Sequence, residues 1–159
     1  MKPTADLCDE YGEAIEVITG PFISYGATTT CYGKVVTLDV EDDNSLVRTA
    51  LEESGQGRIL VVAGKGSTRC ALVGGNLGAL ASENGWAGIV IDGCVRDANE
   101  LSASPIGIYA RGTCPRRSDK QGRGERDIPV EISGVTISPG MHLWADLDGV
   151  VVAAQSIAL

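Results

Sequence analysis

Apolar and polar positions divide the chain into a first half that mixes helices with buried strands and a second half of short strands. Residues 4–11 have helical spacing, with Thr4 as cap and Gly12 as stop. Residues 34–40 (KVVTLDV) read as a strand, and residues 43–53 as a helix. Asp43 or Asn44 caps that helix, and Leu46, Val47, Ala50 and Leu51 share its apolar face. The runs 58–63 (RILVVA) and 86–92 (WAGIVID) are continuously apolar, as strands buried on both faces are. A glycine turn, GKGS, follows the first run, and Gly93 closes the second. Between them, residues 70–84 carry a helical pattern with Gly74 and Gly75 near its start. Strand, helix and strand in that order predict a parallel pair joined by a right-handed crossover.

After residue 105, segments 106–110, 129–132, 135–137, 142–146 and 150–153 read as short strands separated by turns such as SPG and DLDG. The expected class is therefore α/β with mixed sheets around a central βαβ unit, not a doubly wound Rossmann fold. No internal repeat, low-complexity tract or linker interrupts residues 1–159, which predicts one domain.

Composition narrows the function. With 43% hydrophobic and 21% charged residues the chain is globular, and its 21 glycines imply many tight turns. A net charge of -8 argues against direct nucleic-acid binding, which rests on neutralising phosphates. No apolar run is long enough to span a bilayer, and the acidic opening residues lack the apolar segment of a signal peptide. Five widely spaced cysteines, with no CxxC pair, predict neither a disulfide framework nor structural zinc. A cytoplasmic protein without membrane contact is expected. The single histidine, His142, falls in a strand and reads as structural, so any metal must be a hard cation held by oxygen. Trp86 and Trp144 read as core. Residues 1–55 hold eleven acids and three bases, whereas residues 96–126 hold seven bases and four acids. That contrast suggests an acidic protein-contact face beside an anion-facing region.

Familiar nucleotide motifs fail. AGKGST does not complete a Walker pattern, because Gly66 follows the lysine where Ser or Thr is needed. A dinucleotide pattern from Gly64 meets Arg69 at its third glycine, and no GxSxG occurs. GGNLG (74–78) is costly inside a helix but suits a turn into a helix N-terminus, whose free N–H groups hold anions. GCVRD (93–97) follows a buried strand, and ligands of α/β sheets bind beyond strand ends. There Arg96 can grip a carboxylate by two hydrogen bonds while Asp97 anchors a divalent cation. Glu100 suits either a capping box or an outer position around that cation.

The run STRCALVGGNLGALASENGWAGIVIDGCVRDANEL (67–101) resembles the RraA-like family, and the likeness extends through ARGTCPRRSDKQGRGERDIPVEISGV and PGMHLWADLDGVVV. It covers roughly residues 30–155. Twenty residues separate Gly75 from Arg96–Asp97, and Glu100 follows three positions after Asp97. The family contains regulators of ribonuclease E and aldolases of 4-hydroxy-4-methyl-2-oxoglutarate (HMG). The resemblance implies a swivelling β/β/α domain assembled as a homotrimer, acting on a small 2-oxo acid. It implies HMG cleavage to two pyruvates with Mg²⁺ or Mn²⁺, and oxaloacetate decarboxylation as a side activity. By position, Gly75, Asn76, Leu77 and Gly78 would present N–H groups to substrate, Arg96 would hold the pyruvyl group, and Asp97 would bind the metal. Characterised aldolases resemble a D-x20-R-D pattern. Here its first position is Gly75, and Glu100 or an acid of a neighbouring subunit is the candidate replacement. No Schiff-base lysine is needed, and the pocket segments offer only Lys65. The alternative the resemblance carries is a non-enzymatic regulator whose acidic N-terminal third docks on ribonuclease E. A quinone-precursor methyltransferase label is set aside, because no glycine-rich loop with a following ribose-binding acid is recognisable.

Overall fold

Four parallel strands form the centre of a sheet whose flanks are antiparallel. The computed structural model describes residues 1–154. Helix α1 (Thr4–Tyr11) leads into β1 (Ile15–Ile18) and β2 (Ile23–Ser24). The parallel strands are β3 (Cys31–Asp39), β4 (Ile59–Val73), β5 (Gly88–Val95) and β6 (Gly107–Thr113). They are joined by α2 (Ser45–Leu51), α3 (Gly75–Glu83) and α4 (Ala98–Leu101). β7 (Glu125–Arg126) pairs with β3, and β8 (Val130–Ile132) with β9 (Val135–Ile137) as a separate hairpin. β10 (His142–Asp146) and β11 (Gly149–Ala153) complete the order β1-β11-β10-β3-β4-β5-β6-β2.

Alternation along the central strands builds two cores. Val36, Leu38, Leu60, Val62, Ile89 and Ile91 pack with Val47, Leu51, Leu77, Ala81 and Leu101 of the three crossover helices. Val35, Ile59, Val61 and Val90 point to the opposite face, against the β8–β9 hairpin and Leu143, Ala145, Val150 and Val152. Both faces of the parallel strands are thus covered, which explains their unbroken apolar sequence. A third cluster seats Leu7 of α1 against Trp144, Val151 and Ile15.

Several boundaries differ from the sequence reading. The helical pattern at 70–84 begins with strand: β4 runs to Val73, and α3 starts only at Gly75. The GKGS segment does not end β4. Lys65 and Gly66 take left-handed φ of 59° and 65°, the register shifts there, and pairing resumes at Ser67–Gly93. Likewise Gly93 lies within β5, which continues to Val95, while Trp86 precedes the strand and donates its indole N–H to Glu53 O. Thr4 does not cap α1. Pro3 does, and the Thr4 N–H and hydroxyl bond Asp146 at 2.8 and 2.7 Å. Of the two expected α2 caps, Asn44 holds the cap position and Asp43 Oδ1 accepts the Ser45 N–H. All five cysteines are free thiols. His142 meets the Tyr32 hydroxyl at 3.1 Å and lies with Tyr32 and Trp144 in a row of rings.

Asp43 is the principal buried acid. Burial alone would raise its pKa, but the N–H and hydroxyl of Ser45 and the N–H groups of Gln121 and Arg123 hold it down to about 2. Its ordinary value is 3.8, so its stabilising contribution is complete above that pH and disappears as the pH falls toward 2. Urea midpoints should therefore decline between pH 4 and 2 in the parent protein and decline less steeply in Asp43→Asn. A second expectation comes from the interlock of β3 with β6. A Cβ at Gly107 would lie 2.7 Å from Cys31 Sγ and 2.9 Å from its Cβ. Gly107→Ala should cost about 1–3 kcal/mol by chemical denaturation, and adding Cys31→Ala should recover part of that loss.

Candidate active site

The C-terminal ends of β4 and β5 lie side by side, with Val73 paired to Val95 and the Arg96 N–H donating to Val73 O at 3.0 Å. Both chains then reverse. Gly74 caps α3, and Asp97 takes a left-handed φ of 59° to open α4. The Gly75 N–H donates to Asp97 Oδ2 at 3.0 Å and ties the two reversals together. A small cleft of about 90 Å³ lies at this junction, lined by Gly74, Asn76, Leu77, Arg96 and Asp97 on one side. Asn44, Arg48, Ala71, Arg117, Ser118 and Lys120 line the other. A neighbouring hollow of about 300 Å³ shares Arg96 and Asp97 and adds Ala98, Thr113, Cys114 and Pro115.

The structure divides the expected site residues. Arg96, Asp97, Asn76 and Leu77 face the cleft together. Asn76 and Leu77 belong to the first turn of α3, where N–H groups lack helical partners and the helix dipole favours negative charge. Gly75 spends its N–H on Asp97. Gly78 stands apart from the expected set: its N–H closes the first turn on Gly74 O. A Cβ there would lie 2.6 Å from Leu101 Cδ2, so Gly78 serves the close approach of α3 and α4. Lys65 is also elsewhere, paired with Asp39 at 2.9 Å on a separate surface. The lysine of the cleft is Lys120, whose Nζ lies 3.3 Å from Asn44 Oδ1. The basic balance of residues 96–126 foreshadowed an anion-facing region, but only the folded loop singles out Arg117 and Lys120. Arg48 and Asn44 come from α2 and its cap, which carried no sequence signal for the site.

Electrostatically the cleft holds four cations and one carboxylate, and among the described residues none of the four cations forms an ion pair. Such a wall suits a ligand with more than one negative charge. Glu100 approaches from α4, and its Oε2 occupies the space into which a side chain at position 75 would project. A Cβ at Gly74 would lie 2.8 Å from Asp97 Oδ2. Two carboxylates therefore press on consecutive glycines. Among the described residues no three His, Cys, Asp or Glu converge on one point. This donor set fits a hard cation such as Mg²⁺, which is held by one or two carboxylates and keeps several waters. It does not fit a closed all-protein cage.

A Burkholderia multivorans protein named "Putative 4-hydroxy-4-methyl-2-oxoglutarate aldolase" is 52% identical over 159 residues, covering 97% of each chain. A solved structure from Geobacillus kaustophilus, described as S-adenosylmethionine: 2-dimethylmenaquinone methyltransferase, is 50% identical with a TM-score of 0.95, covering 99% of this chain and 97% of its own. The RNA-processing inhibitor RraA from Thermus thermophilis is 45% identical, also with a TM-score of 0.95, over 99% and 96% of the two chains. Residues 4–152 match the family model RraA-like: Aldolase/RraA, and the chain belongs to that family.

Proposed function

We propose that this chain is a divalent-metal-dependent class II aldolase that cleaves HMG to two pyruvates and decarboxylates oxaloacetate as a side activity. The observation that carries the reading is the placement of Arg96 and Asp97 at the joined ends of β4 and β5, facing the open first turn of α3. Arg96 is suited to hold the carboxylate and 2-oxo group by paired hydrogen bonds. The N–H groups of Asn76 and Leu77 add fixed donors on the same side. Arg117 and Lys120, across the cleft, suit the second carboxylate that both substrates carry. Asp97 is the residue that would hold the cation, with Glu100 at an outer position around it. When bound, Mg²⁺ or Mn²⁺ supplies Lewis-acid stabilisation of developing negative charge.

In HMG cleavage the C4 hydroxyl gives up its proton, the C3–C4 bond breaks, and its electron pair moves through C2 to leave a pyruvate enolate. A proton then returns to C3. Oxaloacetate loses carbon dioxide from the same bond position and leaves the same enolate. Arg96 would face the oxygen on which charge grows in both reactions. Glu100 fills the space beside Gly75 and would exchange the C4 hydroxyl proton through a water.

A second reading is favoured by another surface. Helix α1 buries Thr4 and Leu7, while Asp6, Asp9 and Glu10, together with Glu13 and Glu16 beyond it, face solvent. This acidic face suits docking to an arginine-rich segment of ribonuclease E, through steering more than affinity.

Pyruvate release from both substrates should require Mg²⁺ or Mn²⁺, stop with EDTA, and fall at least about 100-fold in Asp97→Ala. Because free metal decarboxylates oxaloacetate in solution, that variant is also the blank. Unchanged metal-dependent release in Asp97→Ala would overturn the lyase reading, whereas a ribonuclease E complex should survive the substitution. Glu100→Gln should separate the two reactions. HMG cleavage, which needs the proton exchange, should drop about 100-fold, and oxaloacetate decarboxylation much less.

A further inference from the structure

The segment 114–124 (CPRRSDKQGRG) carries two cations of the cleft yet contains no large apolar side chain. Apart from Ser118, residues 115–124 are exposed, so core burial cannot fix the path of this segment. Backbone bonds hold it instead. The Ala71 N–H donates to Arg116 O at 2.8 Å, the Asp119 N–H to Asp42 O at 2.8 Å, and the Asn44 N–H to Asp119 O at 3.2 Å. Around its tip, three contacts converge on one side chain. Asp43 Oδ2 accepts the Gln121 N–H at 2.7 Å and the Arg123 N–H at 3.5 Å, and the Arg123 guanidinium stands 3.5 Å away. Asp43 is fully buried, its other oxygen takes the Ser45 N–H at 2.9 Å, and Ser45 Oγ accepts the Gly122 N–H at 3.0 Å.

We infer that Asp43 is a positioning residue of the cleft: by anchoring the tip of loop 116–123 to the start of α2, it fixes Lys120 and Arg117 across from Arg96. The inference rests on the reading of this cleft as an anion site. One buried carboxylate thereby does two things. It receives α2 through Ser45, next to the cap residue Asn44, and it receives the loop through Gln121 and Arg123. Asn44 itself reaches Lys120 through Oδ1 and Leu72 O through Nδ2, so the anchor is one residue from a direct contact with the cleft lysine. Charge-assisted bonds to backbone N–H groups hold a loop to within fractions of an ångström, which paired recognition of a small dianion demands.

The test is a double-mutant cycle read by direct binding. The full chain, without metal, is titrated calorimetrically with oxalate at fixed ionic strength. Asp43→Asn and Lys120→Met should each weaken binding about tenfold, and the double variant should be little weaker than either single one, because both remove the same positioned cation. Amide exchange at residues 119–123 should quicken in Asp43→Asn while residues 89–92 keep parent protection. Multiplicative losses, unchanged oxalate affinity in Asp43→Asn, or no oxalate binding by the parent would each overturn the inference. If Asp43→Asn does not fold, Ser45→Ala, which removes one hydroxyl from the same anchor, takes its place in the cycle. Oxalate binding that follows the cycle in a protein with no turnover would count against the lyase reading alone.

Discussion

The bond from the Gly75 N–H to Asp97 Oδ2 joins the two chain reversals on which the site depends. β4 and β5 end in register, so whatever follows each strand emerges at the same edge of the sheet. One chain turns through Gly74 into α3, and the other turns through Asp97 in a left-handed conformation into α4. A non-glycine residue in that region is strained, and the amide of Gly75 is what holds it there. The same bond sets the carboxylate beside the open turn of α3 and leaves the Arg96 side chain on the cleft wall. Three neighbouring glycines follow from this constraint. Gly74 and Gly75 admit the two carboxylates, and Gly78 admits Leu101.

The central fold was legible because its cause is local. Runs such as RILVVA and WAGIVID are apolar throughout because both faces of the parallel strands are covered, and the turns SPG and DLDG bound the β9 and β10 segments. What escaped the sequence was governed by pairing. Residues 70–73 have helical spacing but complete β4 because Cys94 and Val95 lie beside Ala71 and Val73. GKGS has turn chemistry, yet the two left-handed residues make a bulge that the sheet absorbs. The two-residue strands β2 and β7 are too short for any period to show.

The site divides in the same way. Arg96 and Asp97 were legible as candidates because a loop after a buried strand is where an α/β sheet presents its chemistry. Lys120 was not, since it arrives from a loop with no periodicity, placed by hydrogen bonds to residues 42–45 and 71 that lie far away in sequence. Lys65 stood closer to the motif in sequence and is the wrong lysine in space, since Asp39 holds it on another surface. Glu100 was legible as an acid of suitable spacing, but only the fold sets its carboxylate in the space left open by Gly75.

Relatives of nearly equal similarity bear the names of an aldolase, a methyltransferase and an RNA-processing inhibitor. Global likeness therefore cannot rank these activities, and the local chemistry must. The cleft of about 90 Å³ is small for a nucleoside cofactor, and among the described residues no aromatic ring on which a base could stack lines it or the adjoining hollow. Four cations that form no ion pair among the described residues favour a compact ligand bearing two carboxylates. A docking surface has no need of an arginine and an aspartate at a strand end, where holding both costs a left-handed backbone. That strain is intelligible if the Asp97 carboxylate must face inward beside Arg96. An acidic α1 face on the same molecule makes no competing demand on that geometry, so catalysis and docking can occupy one chain without sharing a residue.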